Sequence, residues 1–309
     1  RELAVLERVA RMSKGPLTGD SLKAIYREVM SSALSLQRTL TIAYFGPPAT
    51  FTHLAAIRRF GSSLNYTPLK TIADVFDEVT KDRADYGVVP VENSTEGVVT
   101  HTLDMFVDSR LKIVSQIVLP IQHCLVSRVR KSQIRRLYSH PQALAQCEHS
   151  LDKLLPDVER VATYDTAGSV KMLREENIRD GAAIASRRAA EIYELPVLRN
   201  DLEDNPENYT RFLILSQEPI APTTAAKTSI VFSMDNVPGA LFKSLAVFAL
   251  RDIDLTKIES RPLQGKPWQY FFYIDFAGSS HETHCRNALN HLQEITSFFR
   301  VLGSYPREE

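Results

Sequence analysis

The sequence is poor in cysteine, and it carries no excess of charge of either sign. Three cysteines, Cys124, Cys147 and Cys285, are spread over 309 residues. An odd and scattered set predicts reduced thiols in a cytoplasmic protein, because a secreted disulfide scaffold uses paired cysteines. Lys plus Arg and Asp plus Glu each number 37, so no overall field favours a nucleic acid or a membrane surface. An anionic ligand must therefore be held by local groups.

Long apolar runs are also missing. No run of about 18 apolar residues is present, which argues against a transmembrane helix, and the N-terminal residues lack the apolar core of a signal peptide. The 44% hydrophobic and 24% charged residues are typical of a soluble globular protein. The length predicts about two or three domains. Because the chain starts at Arg1 rather than at methionine, we expect that a segment upstream was trimmed or left out.

Residues 1–38 predict a short helical segment made of two helices, with a break at Gly15-Pro16. Two helices alone bury little apolar surface, so we expect the segment to pack on the body of the protein or on a partner chain. The apolar residues with helical spacing are Leu3, Leu6, Val9 and Ala10 before the break, and Leu22, Ile25, Tyr26, Val29, Ala33 and Leu36 after it.

From Thr39 the pattern alternates between strand and helix, as in an α/β protein with mainly parallel sheets. The chain returns to a last apolar run at Leu213–Leu215. The runs at 113–121 and 124–126 are typical of strands that connect two lobes as hinges. The other predicted elements are strands at 41–45 and 86–91 and helices at 54–60, 72–81 and 143–155.

Polar residues gather at five strand-to-helix junctions. Each junction alone is explained by a helix N-cap, which contributes about 1 kcal/mol. Helix N-termini also present free backbone N–H groups to anions. Five together, with one arginine, favour a cleft between two α/β lobes that holds a small anion. The junctions are Gly46–Thr52, Glu92–Gly97, Leu137–Gln142, Asp165–Ser169 and Ala182–Ser186.

The pentad Asn208-Tyr209-Thr210-Arg211-Phe212 lies at the mouth of the last apolar run. Strand ends are where α/β proteins place binding groups. Thr210 can donate and accept a hydrogen bond, and the fork of Arg211 fits a carboxylate. Two other interpretations remain, namely a surface turn entering a buried strand and, in a secreted chain, a glycosylation acceptor at Asn208.

A separate module is predicted after the linker Pro219–Ala226. Its elements follow the order β-α-β-β-α-β of the ferredoxin-like arrangement. Ser279 and Glu282 match a capping box for its second helix. The predicted strands are 228–234, 253–258, 268–276 and 299–302, and the helices open at Pro238 and Ser279.

One helix of this module carries several groups that bind metals in other proteins. They do not match the spacing of a zinc signature, so solvated helix residues are favoured over a metal site. The groups are His281, His284, Cys285 and His291.

Three stretches resemble the signature motifs of the prephenate dehydratase family, in order and spacing. They are Pro90–Ser94, Ser139–Leu144 and Asn208–Phe212. The module from 227 resembles an ACT regulatory domain, in which Gly239-Ala240-Leu241 is similar to the phenylalanine-binding loop. Glu259-Ser260-Arg261-Pro262 resembles the second motif of that domain.

The resemblance implies a fold of three parts. Residues 39–218 are expected to form a dehydratase domain of two lobes, like the type II periplasmic binding proteins, and residues 227–309 the ACT domain. Residues 1–38 resemble the second half of a helical chorismate mutase domain. That domain's long first helix, which carries essential cationic groups, is absent here, so we expect a remnant without mutase activity.

The resemblance also implies the chemistry. Prephenate loses carbon dioxide and its ring hydroxyl to give phenylpyruvate, and aromatisation drives the reaction, so no cofactor or metal is expected. Thr210 is the expected catalytic residue, and Arg211 either binds a carboxylate or shapes the loop. Other expected substrate-binding residues are Thr50, Asn93, Ser94, Thr166, Asn208 and Phe212. The expected phenylalanine site comprises Asn236, Pro238, Gly239, Ala240, Leu241, Phe242, Glu259, Ser260 and Arg261.

The sequence leaves two competing functions open. The same fold acts on arogenate, the aminated analogue, and the residues do not separate the two acids. Lobes of this kind with an ACT module also suit a non-catalytic amino-acid sensor, although the full motif around Thr210 argues against it. Phenylalanine is the expected effector. The expected assembly is a homodimer or homotetramer, because ACT modules pair edge to edge.

Overall fold

The computed structural model describes residues 2–221, 225–263 and 268–307. Residues 222–224 of the predicted linker lie outside this range, as does the side chain of Leu3. None of the described helices combines the length and apolar character needed to cross a membrane. All three cysteines are free and buried, which confirms the prediction of reduced thiols.

The N-terminal segment forms two helices, α1 (Glu2–Met12) and α2 (Gly19–Gln37), that pack against each other. The Thr18 hydroxyl caps α2 by accepting the Ser21 N–H at 3.2 Å. The predicted apolar stripe of α2 faces solvent within this chain, with Val29 58% and Leu36 87% exposed. The segment does pack on the body of the protein, as expected, but not through this stripe. Packing on a partner chain stays a prediction.

Small and polar groups attach α2 to the body instead. The Ser31 hydroxyl accepts the Ser63 N–H at 3.2 Å, and the Glu28 carboxylate accepts both the N–H and the hydroxyl of Ser62. A Cβ added at Gly61 would lie 2.5 Å from the Ser31 Cβ. A large apolar side chain does not fit at such a close contact, which explains why the apolar face points elsewhere.

Strands and helices alternate through the next 180 positions, as predicted. The helices are α3 (Phe51–Phe60), α4 (Ile72–Thr80), α5 (Thr100–Asp108), α6 (Pro141–Gln146), α7 (Glu148–Leu154), α8 (Thr166–Glu175) and α9 (Arg187–Ile192). The strands are β1 (Thr41–Phe45), β2 (Asn65–Leu69), β3 (Tyr86–Asn93), β4 (Gly97–Val98), β5 (Lys112–Pro120), β6 (Cys124–Val126), β7 (Arg136–Ser139), β8 (Glu159–Ala162), β9 (Gly181–Ala185), β10 (Val197–Arg199) and β11 (Tyr209–Ser216).

The helix predicted over 143–155 is interrupted at Cys147, whose φ of −115° and ψ of 12° are not helical. The Asp204 carboxylate accepts the N–H groups of His149 and Ser150, each at 2.9 Å. These bonds satisfy free donors in the first turn of α7, so a second helix starts there. The short strands β2, β4, β8 and β10 were not predicted, because none of their residues is buried and their sequences lack an apolar run.

The chain divides into two compact units. The first contains the residues up to Thr71, Glu92–Gly97 and Leu119–Thr210. Here β1 and β2 pair in parallel, and a second sheet has the strand order β10-β6-β9-β7-β8. Successive residues of β6 enter opposite cores, Cys124 and Val126 on one face and Leu125 on the other. This sheet is thus covered on both faces, as is usual for an α/β protein.

The second unit contains Ile72–Val91, Val98–Val118 and the chain from Arg211 onward. In it β3, β11 and β5 lie side by side in that order. A unit boundary falls within β11, between Thr210 and Arg211.

The C-terminal part has the predicted order β-α-β-β-α-β. Its elements are β12 (Ala226–Ser233), α10 (Ala240–Ala249), β13 (Leu255–Pro262), β14 (Tyr270–Ala277), α11 (Thr283–Glu294) and β15 (Phe298–Pro306). The strand order β13-β14-β12-β15 with antiparallel pairing confirms the ferredoxin-like arrangement.

The capping box predicted at Ser279 is only half present. Ser279 donates its backbone N–H to the Glu282 carboxylate at 2.8 Å, but α11 begins at Thr283. The Ser279 hydroxyl accepts the His281 N–H at 3.3 Å. Ser279 therefore stabilises a turn before the helix rather than acting as its N-cap.

Candidate functional site

The side chain of Asn93 anchors the turn that follows β3. Its Oδ1 accepts the backbone N–H groups of Thr95 at 3.0 Å and Glu96 at 3.1 Å, and also the Thr95 hydroxyl. Asparagine favours such turns because its short carbonyl reaches the backbone two residues on. Since only the carbonyl oxygen can accept these bonds, the orientation of the buried amide is fixed, and its Nδ2 faces the start of β11.

The Nδ2 of Asn93 brings Asn208 and Thr210 together. It lies 2.8 Å from the Asn208 Oδ1 and 2.8 Å from the Thr210 Oγ1. An amide nitrogen only donates, so the Thr210 oxygen accepts this bond. In the described part of the chain no group accepts the Thr210 proton. The hydroxyl can therefore donate a hydrogen bond to a ligand.

Two further side chains extend this arrangement into the interior. The Asn208 Nδ2 donates to the Gln146 Oε1 at 3.1 Å, and the His123 Nε2 lies 3.1 Å from the same oxygen. The Gln146 Nε2 donates to the Thr95 Oγ1 and the Glu96 Oε1, both at 3.3 Å. His123 is only 2% exposed. Burial lowers its pKa, and the Gln146 bond and the Glu203 charge oppose that shift only in part.

Ser94 holds the entry to β11. Its hydroxyl donates to the Glu207 carbonyl at 3.0 Å and accepts the Tyr209 N–H at 2.9 Å, and its own N–H donates to the Tyr209 carbonyl at 2.8 Å. The Ser94 hydroxyl therefore donates its proton to a group of the protein itself. Ser94 keeps the Asn208 and Thr210 strand next to Asn93.

Thr50 caps α3 at the end of a strained turn. Its Oγ1 accepts the His53 N–H at 3.4 Å and donates to the Pro47 carbonyl at 3.0 Å. Ala49 has φ of +73°, a conformation that non-glycine residues rarely adopt. The His53 Nδ1 accepts the Ala49 N–H, and the Ser186 hydroxyl donates to the Ala49 carbonyl, each at 3.1 Å. Burial, followed by the Arg188 charge, lowers the pKa of His53, which keeps Nδ1 unprotonated for this contact.

Thr166 opens α8, and its neighbour Asp165 is the N-cap. The Asp165 carboxylate accepts the Gly168 N–H at 2.6 Å. Thr166 itself is half-buried in the first turn. Thr50 and Thr166 thus lie at helix N-termini as predicted, but neither belongs to the hydrogen-bonded group around Asn93.

Arg211 and Phe212 belong to the second unit. Phe212 is 1% exposed and packs in the core. The Arg211 guanidinium donates to the Asp275 Oδ2 at 2.8 Å, and the Lys227 ammonium lies 3.2 Å from the same oxygen. Burial alone would raise the pKa of Asp275, but Arg211 and Lys227, with a hydroxyl bond from Ser229, overcome this and lower it.

A cavity of about 380 Å³ lies at the N-terminus of α10. Five residues of the phenylalanine site expected from the resemblance line it, namely Asn236, Gly239, Ala240, Leu241 and Phe242. Pro238 is not among the lining residues. Six further lining residues were not predicted, five apolar or aromatic and one carboxylate: Met234, Asp235, Val237, Trp268, Tyr270 and Phe272.

The second predicted part of that site lies elsewhere in this chain. Glu259, Ser260 and Arg261 are on β13, whose residues alternate between half-buried and exposed. The Arg261 guanidinium donates to the Asp104 carboxylate of α5 at 3.2 and 3.3 Å. None of the three lines the cavity at α10.

Glu282, His284 and Cys285 place one ligand atom each within 4.8 Å of one another. His281 and His291 are not part of this group. The three residues are in or next to the first turn of α11, where the helix dipole disfavours a cation. Burial raises the pKa of the Cys285 thiol to about 11, so the thiol is protonated near neutral pH. The chemistry of this donor set does not favour a metal ion.

Known proteins resemble this chain over most of its length. A sequence model of a protein family, described as prephenate dehydratase, matches residues 42–220. The bifunctional chorismate mutase/prephenate dehydratase of Aquifex aeolicus (strain VF5) is 46% identical over 99% of this chain and 86% of its own length. The chloroplastic arogenate dehydratase/prephenate dehydratase 6 of Arabidopsis thaliana is 43% identical over 93% of this chain and 74% of its own.

This chain is also similar to a solved structure of a prephenate dehydratase. The prephenate dehydratase of Arthrobacter aurescens, in complex with L-Phe, has a TM-score of 0.82 and 36% identity. It covers 87% of this chain and 90% of its own chain.

Proposed function

The chain belongs to the prephenate dehydratase family, and from this premise we propose that the Thr210 hydroxyl assists the departure of the ring hydroxyl of prephenate. The enzyme is a lyase that converts prephenate to phenylpyruvate, carbon dioxide and water. Arogenate as the main substrate and a purely sensory function are not favoured.

Two bonds break in this reaction. The bond between the ring and its carboxylate breaks as carbon dioxide leaves, and its electron pair enters the ring. The ring carbon–oxygen bond breaks on the opposite side, and the hydroxyl departs with a proton as water. Aromatisation supplies the driving force, so the enzyme has to position the substrate and stabilise the departing oxygen.

The orientation of the Thr210 hydroxyl is the observation that supports this proposal. Its oxygen accepts a hydrogen bond from the Asn93 amide at 2.8 Å, which leaves its proton to donate. A threonine is a weak acid, so it donates a hydrogen bond or relays a proton rather than ionising. Asn93 and Asn208 hold the hydroxyl in place, and Ser94 holds the strand.

We assign Arg211 the second of its two expected roles. Its guanidinium is paired with the buried Asp275 carboxylate at 2.8 Å, so it shapes the strand after Thr210 rather than binding a substrate carboxylate. Thr50 and Thr166 remain candidate ligands for the substrate carboxylates, because each lies in or next to the first turn of a helix.

The domain organisation is proposed from the same family resemblance. Residues 39–218 form the two-lobed dehydratase domain, and residues 227–309 form an ACT regulatory domain. The strand order β13-β14-β12-β15 supports the second assignment. Residues 1–38 correspond to part of a chorismate mutase domain, and we expect the ACT modules to pair between chains.

Phenylalanine is proposed as the effector, bound in the cavity at α10. The N-terminus of α10 supplies N–H donors for the carboxylate of the amino acid. Asp235 is a counter-charge for its ammonium group, and Trp268 with Phe272 forms a wall for its ring. The structure of the Arthrobacter relative in complex with L-Phe supports this ligand.

Steady-state kinetics of Thr210→Val tests the catalytic proposal. The change removes the hydroxyl but keeps the branched shape, so we expect normal folding and a KM close to that of the wild type. The turnover should fall by about 10²–10⁴, the usual contribution of general acid assistance. Thr210→Ser is the matched control, and it should retain a substantial part of the activity because its hydroxyl remains.

Circular dichroism should verify folding of both variants. A folded Thr210→Val enzyme with near-normal turnover on prephenate would remove Thr210 from the mechanism. A Thr210→Ser enzyme as slow as Thr210→Val would indicate that the methyl packing of the residue matters more than its hydroxyl.

A further inference from the structure

We propose that the buried imidazole of His123 positions the Thr210 hydroxyl through three intervening amide side chains, those of Gln146, Asn208 and Asn93. This inference rests on the catalytic role of Thr210 proposed above. His123 is a positioning residue, because its ring touches the chain of amides and not the reacting hydroxyl.

The direction of every hydrogen bond in this chain follows from one anchored end. The Asn93 Oδ1 accepts two backbone N–H groups, so its Nδ2 donates to Asn208 and Thr210. The Asn208 side chain accepts that bond with its oxygen, and its own Nδ2 must then donate to the Gln146 Oε1. Each amide sets the orientation of the next, because two N–H groups facing each other repel.

The same rule determines the protonation of His123. Its Nε2 lies 3.1 Å from the Gln146 oxygen, so Nε2 carries the proton and donates. The other nitrogen, Nδ1, is buried and has no partner among the described residues. Burial lowers the pKa of His123, so the ring is neutral near pH 7 with a single proton on Nε2.

The surroundings of His123 hold the ring in this position. Its backbone N–H donates to the Glu203 carboxylate at 2.7 Å, and its carbonyl accepts the Leu202 N–H at 3.0 Å. The ring of Phe51 packs edge-on at 5.7 Å between centroids. An apolar contact on one side leaves the bond to Gln146 as the only described hydrogen bond of the imidazole.

The opposite tautomer would disturb the whole chain. With the proton on Nδ1, a lone pair of Nε2 would face the Gln146 oxygen. Rotation of the Gln146 amide would relieve that contact, but its N–H would then face the Asn208 N–H. The conflict would then pass to the contact between Asn208 and Asn93. Because backbone N–H groups hold the Asn93 Oδ1 in place, the two amides would relieve it by moving apart, and the Asn93 Nδ2 would be less precisely placed against the Thr210 oxygen. The Nε2 proton of His123 therefore keeps the Thr210 hydroxyl in its donating orientation.

Kinetics of His123→Phe and His123→Gln test this inference. Phenylalanine keeps the ring and removes the donor, whereas the glutamine amide nitrogen occupies nearly the place of Nε2. We expect His123→Phe to lower kcat about tenfold, the size of one net hydrogen bond, with KM within about twofold. His123→Gln should recover most of the lost turnover, which a role in packing alone would not produce.

Combination with Thr210→Val separates positioning from structural damage. If His123 acts through the Thr210 hydroxyl, His123→Phe should not slow the Thr210→Val enzyme further. Equal losses in both backgrounds, or a normal His123→Phe enzyme, would overturn the inference while leaving the role of Thr210 intact. Near-normal turnover of Thr210→Val alone would show instead that the proposed function has failed, and the inference with it.

A measurement on the unmodified enzyme does not depend on how the variants fold. The ¹⁵N shifts of the His123 ring between pH 6 and pH 8 should show a neutral imidazole with its proton on Nε2. A proton on Nδ1 would overturn the inference.

Discussion

At the scale of single residues, Thr210 and Arg211 are neighbours whose side chains make different contacts. Successive side chains of a strand point to opposite faces. Thr210 presents its oxygen to the Asn93 amide, and Arg211 turns the other way to the Asp275 carboxylate. Both residues lie in one sequence motif, but the sequence could not predict that their side chains have different hydrogen-bond partners. Asp275 is 64 positions away along the chain and has no local signal.

Asp275→Asn should destabilise the protein strongly. It removes the buried negative charge that Arg211 and Lys227 contact, and their side chains are only 13% and 12% exposed. Breaking a buried pair in this way costs about 3–5 kcal/mol. Urea unfolding measures the loss, and Asp180→Asn is the matched control because it breaks the exposed pair with Arg136. Equal midpoints for the two variants would contradict a stabilising role for the buried pair.

The same carboxylate should contribute to acid sensitivity. The pKa of Asp275 is lowered in the folded state. Its stabilisation is therefore complete above the unfolded pKa, about 3.9, and is lost as the pH falls through the folded value. We expect the stability of the wild type to fall more steeply below about pH 4 than that of Asp275→Asn. Parallel pH profiles of the two proteins would contradict this linkage.

At the scale of elements, local signals predicted most helix starts and buried strands. Side chains act as N-caps at four of the five junctions, those of Thr50, His140, Asp165 and Ser186. The break at Cys147 could not be predicted, because the Asp204 carboxylate that caps α7 comes from 55 residues downstream.

The candidate site was also predicted only in part. Asn93, Asn208 and Thr210 come together because all three lie at strand ends. Gln146 and His123 were missed, since a residue at the end of a helix and one between two apolar runs give no local sign of function.

Gly239→Ala tests the proposed phenylalanine site at α10. Gly239 has φ of +82°, and no atom lies within 4 Å of an added Cβ. Gly239 lines the cavity, so the new methyl would alter its wall, and it would cost about 1 kcal/mol of backbone strain. We expect a several-fold weaker inhibition by phenylalanine, measured as dehydratase activity against effector concentration. Binding of phenylalanine by calorimetry should weaken in parallel.

Gly97→Ala is a matched control for the strain. Gly97 has φ of +83°, an added Cβ there is equally free of contacts, and the residue does not line the cavity at α10. Its stability should change by a similar amount, with no change in phenylalanine affinity. Unchanged affinity in Gly239→Ala would place the effector elsewhere.

At the scale of the whole molecule, the C-terminal sheet is part of the second compact unit. The Arg300 guanidinium donates to the carbonyls of Phe106, Val107 and Ser109 at the end of α5. The Tyr273 hydroxyl donates to the Leu103 carbonyl at 2.8 Å. Sequence patterns predict each element from its own residues. They could not show that residues after 226 donate hydrogen bonds to the free carbonyl groups at the C-terminal end of α5.

The backbone of Gly303 lies close to that of Ile113. A substitution at Gly303 tests whether the second compact unit unfolds as one cooperative unit. A Cβ at Gly303 in β15 would lie 2.1 Å from the Ile113 carbonyl oxygen in β5. Backbone lies on both sides of this contact, so no side-chain rotation relieves it. We expect Gly303→Ala to cost about 3 kcal/mol, the upper part of the usual range for overpacking.

Thermal unfolding should show this loss of stability as one transition at a lower temperature, because β5 and β15 pack against each other and are expected to unfold in the same step. The matched control is Gly15→Ala, where an added Cβ meets no atom within 4 Å, and its midpoint should stay close to that of the wild type. If residues 227–309 unfold independently, Gly303→Ala will lower one of two transitions and leave the other in place. One shared transition that moves to lower temperature would instead mean that the dehydratase strands and the C-terminal sheet stabilise each other. A change in either part would then alter the stability of both.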